Sequence, residues 1–203
     1  MRGWIASLAL GWAMAAAAAP VRTVFPNGLT LVVEEDHAAP VAIVEIWVRA
    51  GGRDEAPGKT GLAHMLEHMM FEGTHKLAPG AFSKRIEAFG GRDNAFTSHD
   101  YTAYFEIVPA ERLDEALTLE FDRFTDLVIR DDVFRRERRV VMEERRMRLE
   151  DDPTARFFEE LSAAALKLHP YRNPVIGWMQ DIARLTPEDA RAFYARFYRN
   201  PAN

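Results

Sequence analysis

The sequence predicts an α+β fold: a two-layer sandwich in which helices pack on one face of a largely antiparallel sheet. Three observations carry that expectation. Short alternating apolar–polar runs, two of them joined by an Asn-Gly turn, fill the region before residue 50. Two more such runs lie between residues 93 and 108, after helical stretches. Beyond residue 110 the apolar spacing changes to the period of amphipathic helices. The 203 residues, 48% of them hydrophobic, suffice for one large domain with a real core. A formal net charge of −5 argues against a nucleic-acid partner, which calls for a basic face. The absence of cysteine excludes disulfides and thiolate chemistry, so any metal site must use His, Asp or Glu.

Met1 to Ala19 has a basic start at Arg2, an apolar run from Trp4 to Met14, and then alanines, which is the pattern of a signal peptide. The expected protein is exported, most simply to a periplasm, with a domain over residues 20–203. Attachment through an uncleaved N-terminus is the alternative. It is disfavoured because the run is alanine-rich and weakly hydrophobic.

Val21–Phe25, Pro26-Asn27-Gly28 and Leu29–Glu34 read as a hairpin, since Asn-Gly accepts the positive φ of a tight turn. Val41–Arg49 reads as a strong strand with Ala42, Val44, Ile46 and Val48 on one face. A Gly-rich loop leads to a helix beginning near Gly61. A short helix over Gly80–Phe89 is stopped by Gly90-Gly91. Strands follow at Asp93–Thr97 and Tyr101–Val108. Four helices are then expected at Ala110–Leu127, Asp132–Arg148, Thr154–Lys167 and Pro187–Tyr198, the last with Pro in its first turn.

The helix starting near Gly61 reads Leu62-Ala-His64-Met-Leu-Glu67-His68-Met-Met-Phe71. At ~100° per residue, His64, Glu67 and His68 share one side, and Leu62, Met65, Leu66 and Met69 cover the other. A polar trio on an otherwise apolar helix calls for an explanation. His-x-x-Glu-His is the inverted zincin order, in which two His bind zinc and the Glu acts on water. His37, His75, His99 and His169 lack spaced partners and read as turn or surface residues.

A catalytic zinc usually takes a third protein ligand. On the helix Asp132–Arg148, with Glu137 set at 0°, Val133, Phe134, Val140 and Val141 fall within ~60° of it and Glu144 at about −20°. Glu143 falls near −120°, at the edge. A core-facing stripe thus carries two carboxylates, which are costly to bury unless charge compensates them. Either they pair with arginines such as Arg148, or Glu144 completes a metal site and Glu137 supports it from behind. The His-x-x-Glu-His stretch favours the second.

Several ordered motifs resemble the pitrilysin/insulinase family of inverzincin peptidases, in the branch of the mitochondrial processing peptidase. Gly61-Leu-Ala-His64-x-x-Glu67-His68-Met-x-Phe71-x-Gly73-Thr74 is similar to its zinc helix. Gly90-Gly91-x-x-Asn94-Ala95-x-Thr97-Ser98-x-Asp100-x-Thr102-x-Tyr104 resembles its edge-strand signature. Glu137-Arg138-x-Val140-Val141-x-Glu143-Glu144 resembles the segment supplying its third ligand. His169-Pro170-Tyr171, Pro174 to Trp178, and Phe193 to Asn203 are similar to later landmarks. The resemblance implies a zinc metalloendopeptidase holding one Zn²⁺ per chain on His64, His68 and Glu144, with Glu67 and Glu137 as catalytic groups. It also implies a strand at Asn94, Ala95, Phe96 and Thr97 to which a substrate peptide adds; from the residues alone Asn94 is equally a turn residue. Family members continue into a further strand and a second homologous half that closes the site, so such a half or a partner subunit is expected. The rival reading is a non-catalytic, peptide-binding scaffold subunit, against which the intact motifs weigh.

Overall fold

A computed structural model describes residues 19–203. The expected signal segment lies outside the described residues except for Ala19, and no described helix is long and apolar enough to cross a membrane. β1 (Val21–Val24) and β2 (Thr30–Val33) form an antiparallel hairpin. β3 (Val41–Val48), β4 (Arg92–Thr97) and β5 (Thr102–Pro109) form a second antiparallel sheet in the order β3-β5-β4. The helices are α1 (Leu62–Met69), α2 (Ala81–Ala88), α3 (Leu113–Asp126), α4 (Asp131–Arg145), α5 (Pro153–Ala165), α6 (Met179–Ile182) and α7 (Pro187–Phe193).

The expected mixture of antiparallel strands and helices is present. Val44 and Val48 are buried while Ile43 and Trp47 on the alternate face are exposed, so the helices cover one face. The strands do not form a single sheet, however, because β2 and β3 are not paired with one another. The hairpin accordingly leaves Val21, Val32 and Val33 exposed. Boundaries differ at helix ends. The helix expected to reach Arg148 ends at Arg145 and passes into a π turn over Arg146–Glu150. The one expected to reach Tyr198 likewise turns π after Phe193. The four-residue α6 had no sequence signal strong enough to place it.

Two features fix α1 in this frame. Its apolar side, Leu62, Met65, Leu66 and Met69, is buried with Val48, Tyr104 and Val141 in the main core. At its start Gly61 (φ +85) lies against Gly177 of the loop before α6. A Cβ on Gly61 would come within 2.3 Å of the Ile176 carbonyl oxygen, and one on Gly177 within 2.4 Å of the Thr60 oxygen. Only glycine fits either place.

Beneath the sheet, Arg123 of α3 is 1% exposed. Its Nη2 donates to Glu106 Oε1 at 2.8 Å and its Nε to Glu120 Oε2 at 2.7 Å. Its guanidinium sits over Phe82 at 4.1 Å and Phe71 at 4.9 Å. Burial, and then the adjacent Glu120, push the Glu106 carboxyl up to about 10. The pair Glu106–Glu120 therefore shares its charge around one cation.

Candidate metal centre and substrate cleft

His64 and His68 lie one turn apart on α1, with ring centroids 4.8 Å apart. Both turn Nε2 toward the same oxygen of Glu144 on α4: 3.3 Å for His68 and 3.8 Å for His64. One ligand atom from each of the three residues lies within 4.8 Å of the others. Tetrahedral zinc with bonds of ~2.0–2.2 Å holds its ligand atoms ~3.3 Å apart, a spacing that His68 and Glu144 already have and toward which His64 would have to draw in. The donor set of two imidazoles and one carboxylate suits zinc. His64 is buried and its Nδ1 has no hydrogen-bond partner.

The protonation pattern follows from the surroundings. Burial, and then the neighbouring His68, push His64 down to about 4, so its ring is neutral. Burial also pulls His68 down, but the Glu137 and Glu144 carboxylates outweigh it and carry the ring up to about 9. Glu137 Oε2 lies 3.6 Å from His68 Nδ1, on the side of the ring away from Glu144. His68, first of all, holds the Glu137 and Glu144 carboxyls below the usual range. Arg148 pairs with Glu144 Oε1 at 2.9 Å, leaving Oε2 to the histidines. The arginine pairing and the convergence on the histidines therefore coexist on different oxygens of one carboxylate.

Glu143 is exposed and pairs with Arg146, away from the cluster. The buried stripe of α4 is Val133, Phe134, Glu137, Val141 and Arg145, with Val140 exposed. Its centre is thus rotated by ~30° from Glu137, toward Val141. Glu137 lies within the stripe, and the half-buried Glu144 lies on its side away from Arg145. The correction concerns Val140, expected in the stripe but exposed; Glu144, half-buried, keeps part of its hydration while still facing α1.

Glu67 lies on the same side of α1 as the histidines. Burial pushes its carboxyl up, against a hydrogen bond from the Thr97 hydroxyl to Oε2. Thr97 ends β4, the edge strand of the main sheet. A cleft of ≈ 1010 Å³ runs over this group, walled by β4 on one side and by α5 and the loop 171–176 on the other. Asn94, Ala95, Phe96 and Thr97 all border it. The Phe96 ring stacks edge-on to Trp47 on the outer face of the sheet, 5.8 Å between centroids.

Sequence reasoning missed Glu55, whose carboxylate accepts from the Gly61 and Ala63 N–H groups at the start of α1. It also missed Arg145, buried between Glu159 of α5 and the Gly177 carbonyl. His169 accepts from the Tyr171 N–H and is a turn residue as expected. His99 contacts the Asn173 carbonyl at 3.0 Å and borders the cleft, a position its isolation in sequence did not indicate.

An inverted His-x-x-Glu-His helix facing a carboxylate helix beneath an antiparallel sheet is the arrangement of an inverzincin-type metallopeptidase. Residues 30–178 match the insulinase family of peptidases (peptidase family M16), and the chain belongs to that family. It is 38% identical over 174 residues to the zinc protease PqqE of Helicobacter pylori, covering 85% of this chain and 39% of that protein. It is 31% identical to the probable mitochondrial-processing peptidase subunit beta of Arabidopsis thaliana, over 87% of this chain and 33% of that protein. Among solved structures, a protease from Helicobacter pylori superposes with a TM-score of 0.88 at 35% identity, over 93% of this chain and 45% of that one. The first half of the periplasmic protease PqqL from Escherichia coli superposes at 0.81 with 26% identity, over 93% of this chain and 42% of that one. The chain thus spans less than half the length of these relatives.

Proposed function

We propose that this chain is the metal-bearing half of an exported zinc metalloendopeptidase, hydrolysing internal bonds of peptides or unfolded segments. The observation that carries the reading is the convergence of His64, His68 and Glu144 on one point, with Glu67 beside them in an open cleft. His64, His68 and Glu144 would hold one zinc ion, and Glu137 would fix the His68 ring from its far side. When bound, zinc acidifies water and polarises a carbonyl. Glu67 takes the proton from the attacking water and returns it to the departing amine. Burial raises its carboxyl, which makes it a better proton acceptor than a solvated glutamate. Thr97 keeps one Glu67 oxygen in place.

A substrate peptide would add to the free edge of β4. In the turn after β4 the Ser98 N–H bonds to the carbonyl of Tyr101, just before β5. By alternation the Thr97 and Ala95 N–H groups point to the open side. Asn94 Oδ1 accepts the Ala95 N–H at 2.9 Å, and an incoming carbonyl would take over that bond. Ala95 and Thr97 would then supply the main-chain bonds, while the main chain of Asn94 and Phe96 is turned to β5. A second homologous half, in the same polypeptide or in a partner subunit, would close the cleft from the opposite side. The length relation to PqqE and the match to the first half of PqqL support this. The periplasmic neighbour PqqL supports export.

Metal analysis of the purified full-length gene product, followed by a quenched-peptide assay, tests the reading. One zinc per chain and chelator-sensitive cleavage are expected. Glu67→Gln should keep the zinc and lose at least ~100-fold in turnover. A zinc-free wild-type protein, or a Glu67→Gln variant cleaving near the wild-type rate, would overturn the proposal; zinc without cleavage would mark the scaffold reading instead.

A further inference from the structure

Glu55 is a half-buried acid that the hydrolytic scheme does not use. It lies in the loop before α1, and no Lys, Arg or His pairs with it among the described residues. Withdrawing such a group from water is costly unless hydrogen bonds compensate. Here the compensation comes from one place. Oε2 accepts the Gly61 N–H at 3.0 Å and Oε1 accepts the Ala63 N–H at 2.8 Å, and the Leu62 N–H also faces the carboxyl.

These are groups of the kind a helix start leaves unbonded. α1 has no side-chain cap of its own: Gly61 occupies the cap position in the left-handed region, and the first turn contains no acidic residue. Capping normally comes from the residue at the boundary. Here it reaches across from six residues upstream, and both carboxylate oxygens are used. The turn it secures contains His64, adjacent to Ala63. Helix ends fray first, and this end carries a residue whose Nε2 must meet Glu144 and His68 within a few tenths of an ångström.

The surroundings tie Glu55 further into the frame. Thr60 donates to Asp181 of α6 at 2.7 Å and accepts the Trp178 N–H at 2.9 Å. Gly61 is pressed on Gly177, whose carbonyl accepts from Arg145, the neighbour of Glu144. The backs of His64 and Glu144 are thereby joined through Gly61 and Gly177, with Glu55 holding the His64 side.

We infer that Glu55 is a positioning residue for the metal centre: its carboxyl clamps the first turn of α1 and thereby sets the placement of His64 relative to His68 and Glu144. The inference rests on the proposed metal site. Glu55→Gln retains one acceptor oxygen but turns an NH₂ group toward the other N–H, setting donor against donor. Glu55→Asp keeps both acceptors on a side chain one methylene shorter.

The test is zinc affinity by chelator competition, together with the visible spectrum of the cobalt-substituted protein, on full-length wild type, Glu55→Gln and Glu55→Asp. A ~10–100-fold loss of zinc affinity in Glu55→Gln is expected, with a changed cobalt spectrum and a smaller loss in Glu55→Asp. Amide hydrogen exchange should show faster exchange at Leu62–His64 and unchanged protection at Met69. A general structural role would lower the melting temperature alone. If Glu55→Gln melts earlier yet binds zinc within twofold of wild type with an unchanged cobalt spectrum, the inference is overturned. If Glu55→Gln does not fold, Glu55→Asp decides by the same two readouts. Absence of zinc from the wild type would instead overturn the metal-site reading on which both depend.

Discussion

Glu137 offers the sharpest quantitative test of the metal centre. Its Oε2 lies 3.6 Å from His68 Nδ1, and it is 9% exposed. Glu137→Gln has two opposed effects on zinc binding. It removes the negative charge that holds the His68 ring in orientation, a loss of ~10–100-fold in affinity, or ~1.4–2.7 kcal/mol. It also lets His68 give up its proton more easily. That ring is raised from 6.5 to about 9 by Glu137 and Glu144 together, against burial. If Glu137 supplies half of the rise, its removal relieves roughly tenfold of proton competition at neutral pH. The two effects largely offset one another near pH 6.5, and only the loss of orientation remains near pH 9. Zinc affinity by chelator competition at both pH values reads the difference directly. The ratio of wild-type to variant affinity should grow by roughly tenfold between them. A ratio that stays within twofold of unity at pH 9 would refute the role of Glu137 behind His68.

Glu144→Gln should lose zinc while Glu143→Gln keeps it, since Glu143 faces Arg146 on the exposed side; metal content after dialysis distinguishes them, and the reverse result would reject the ligand assignment. In the wild type, the raised His68 means that the metal-free protein carries a proton there at neutral pH, a stabilising contribution lost as pH rises through about 9. Zinc must displace that proton, so apparent affinity should climb ~10-fold per pH unit from pH 7 towards about 9 and then level off, while neutral His64 adds no competition. Calorimetry in buffers of different ionisation enthalpy should count about one proton released at pH 7. Arg123→Met should cost ~3–5 kcal/mol in urea unfolding because it leaves the shared charge of the buried Glu106–Glu120 pair without its cation. A cost under ~1 kcal/mol would show that Glu106 and Glu120 find other partners.

Much of the centre was legible because its signals are local. The spacing of His64, Glu67 and His68 on one helix, and the place of Glu144 on another, need only the helical period. The orientation of α4 was less legible. Val140 reads as apolar and core-facing, yet Arg145 takes the buried place, because its guanidinium is matched by Glu159 and Gly177 from elements distant in sequence. Glu55 was invisible for the same reason: a loop glutamate has no periodic signature, and its partners become known only once α1 and its loop are folded together. The separation of β1–β2 from the main sheet was hidden as well. Alternation predicts strands, but it does not state which edges meet.

The order β3-β5-β4 has a cost in solution as well as a use at the cleft. Both outer strands present unpaired main-chain groups, and each can recruit another extended chain. At β4 that readiness would serve the binding of a peptide. At β3 the neighbouring face is oily: Val41, Ile43 and Trp47 are exposed, with Glu45 the charge that interrupts them. Left uncovered, this border favours self-pairing over staying dispersed, and the damage would grow with concentration and with time in storage. A lysine at Ile43 would act as a gatekeeper there without touching the opposite, metal-bearing side of the sheet.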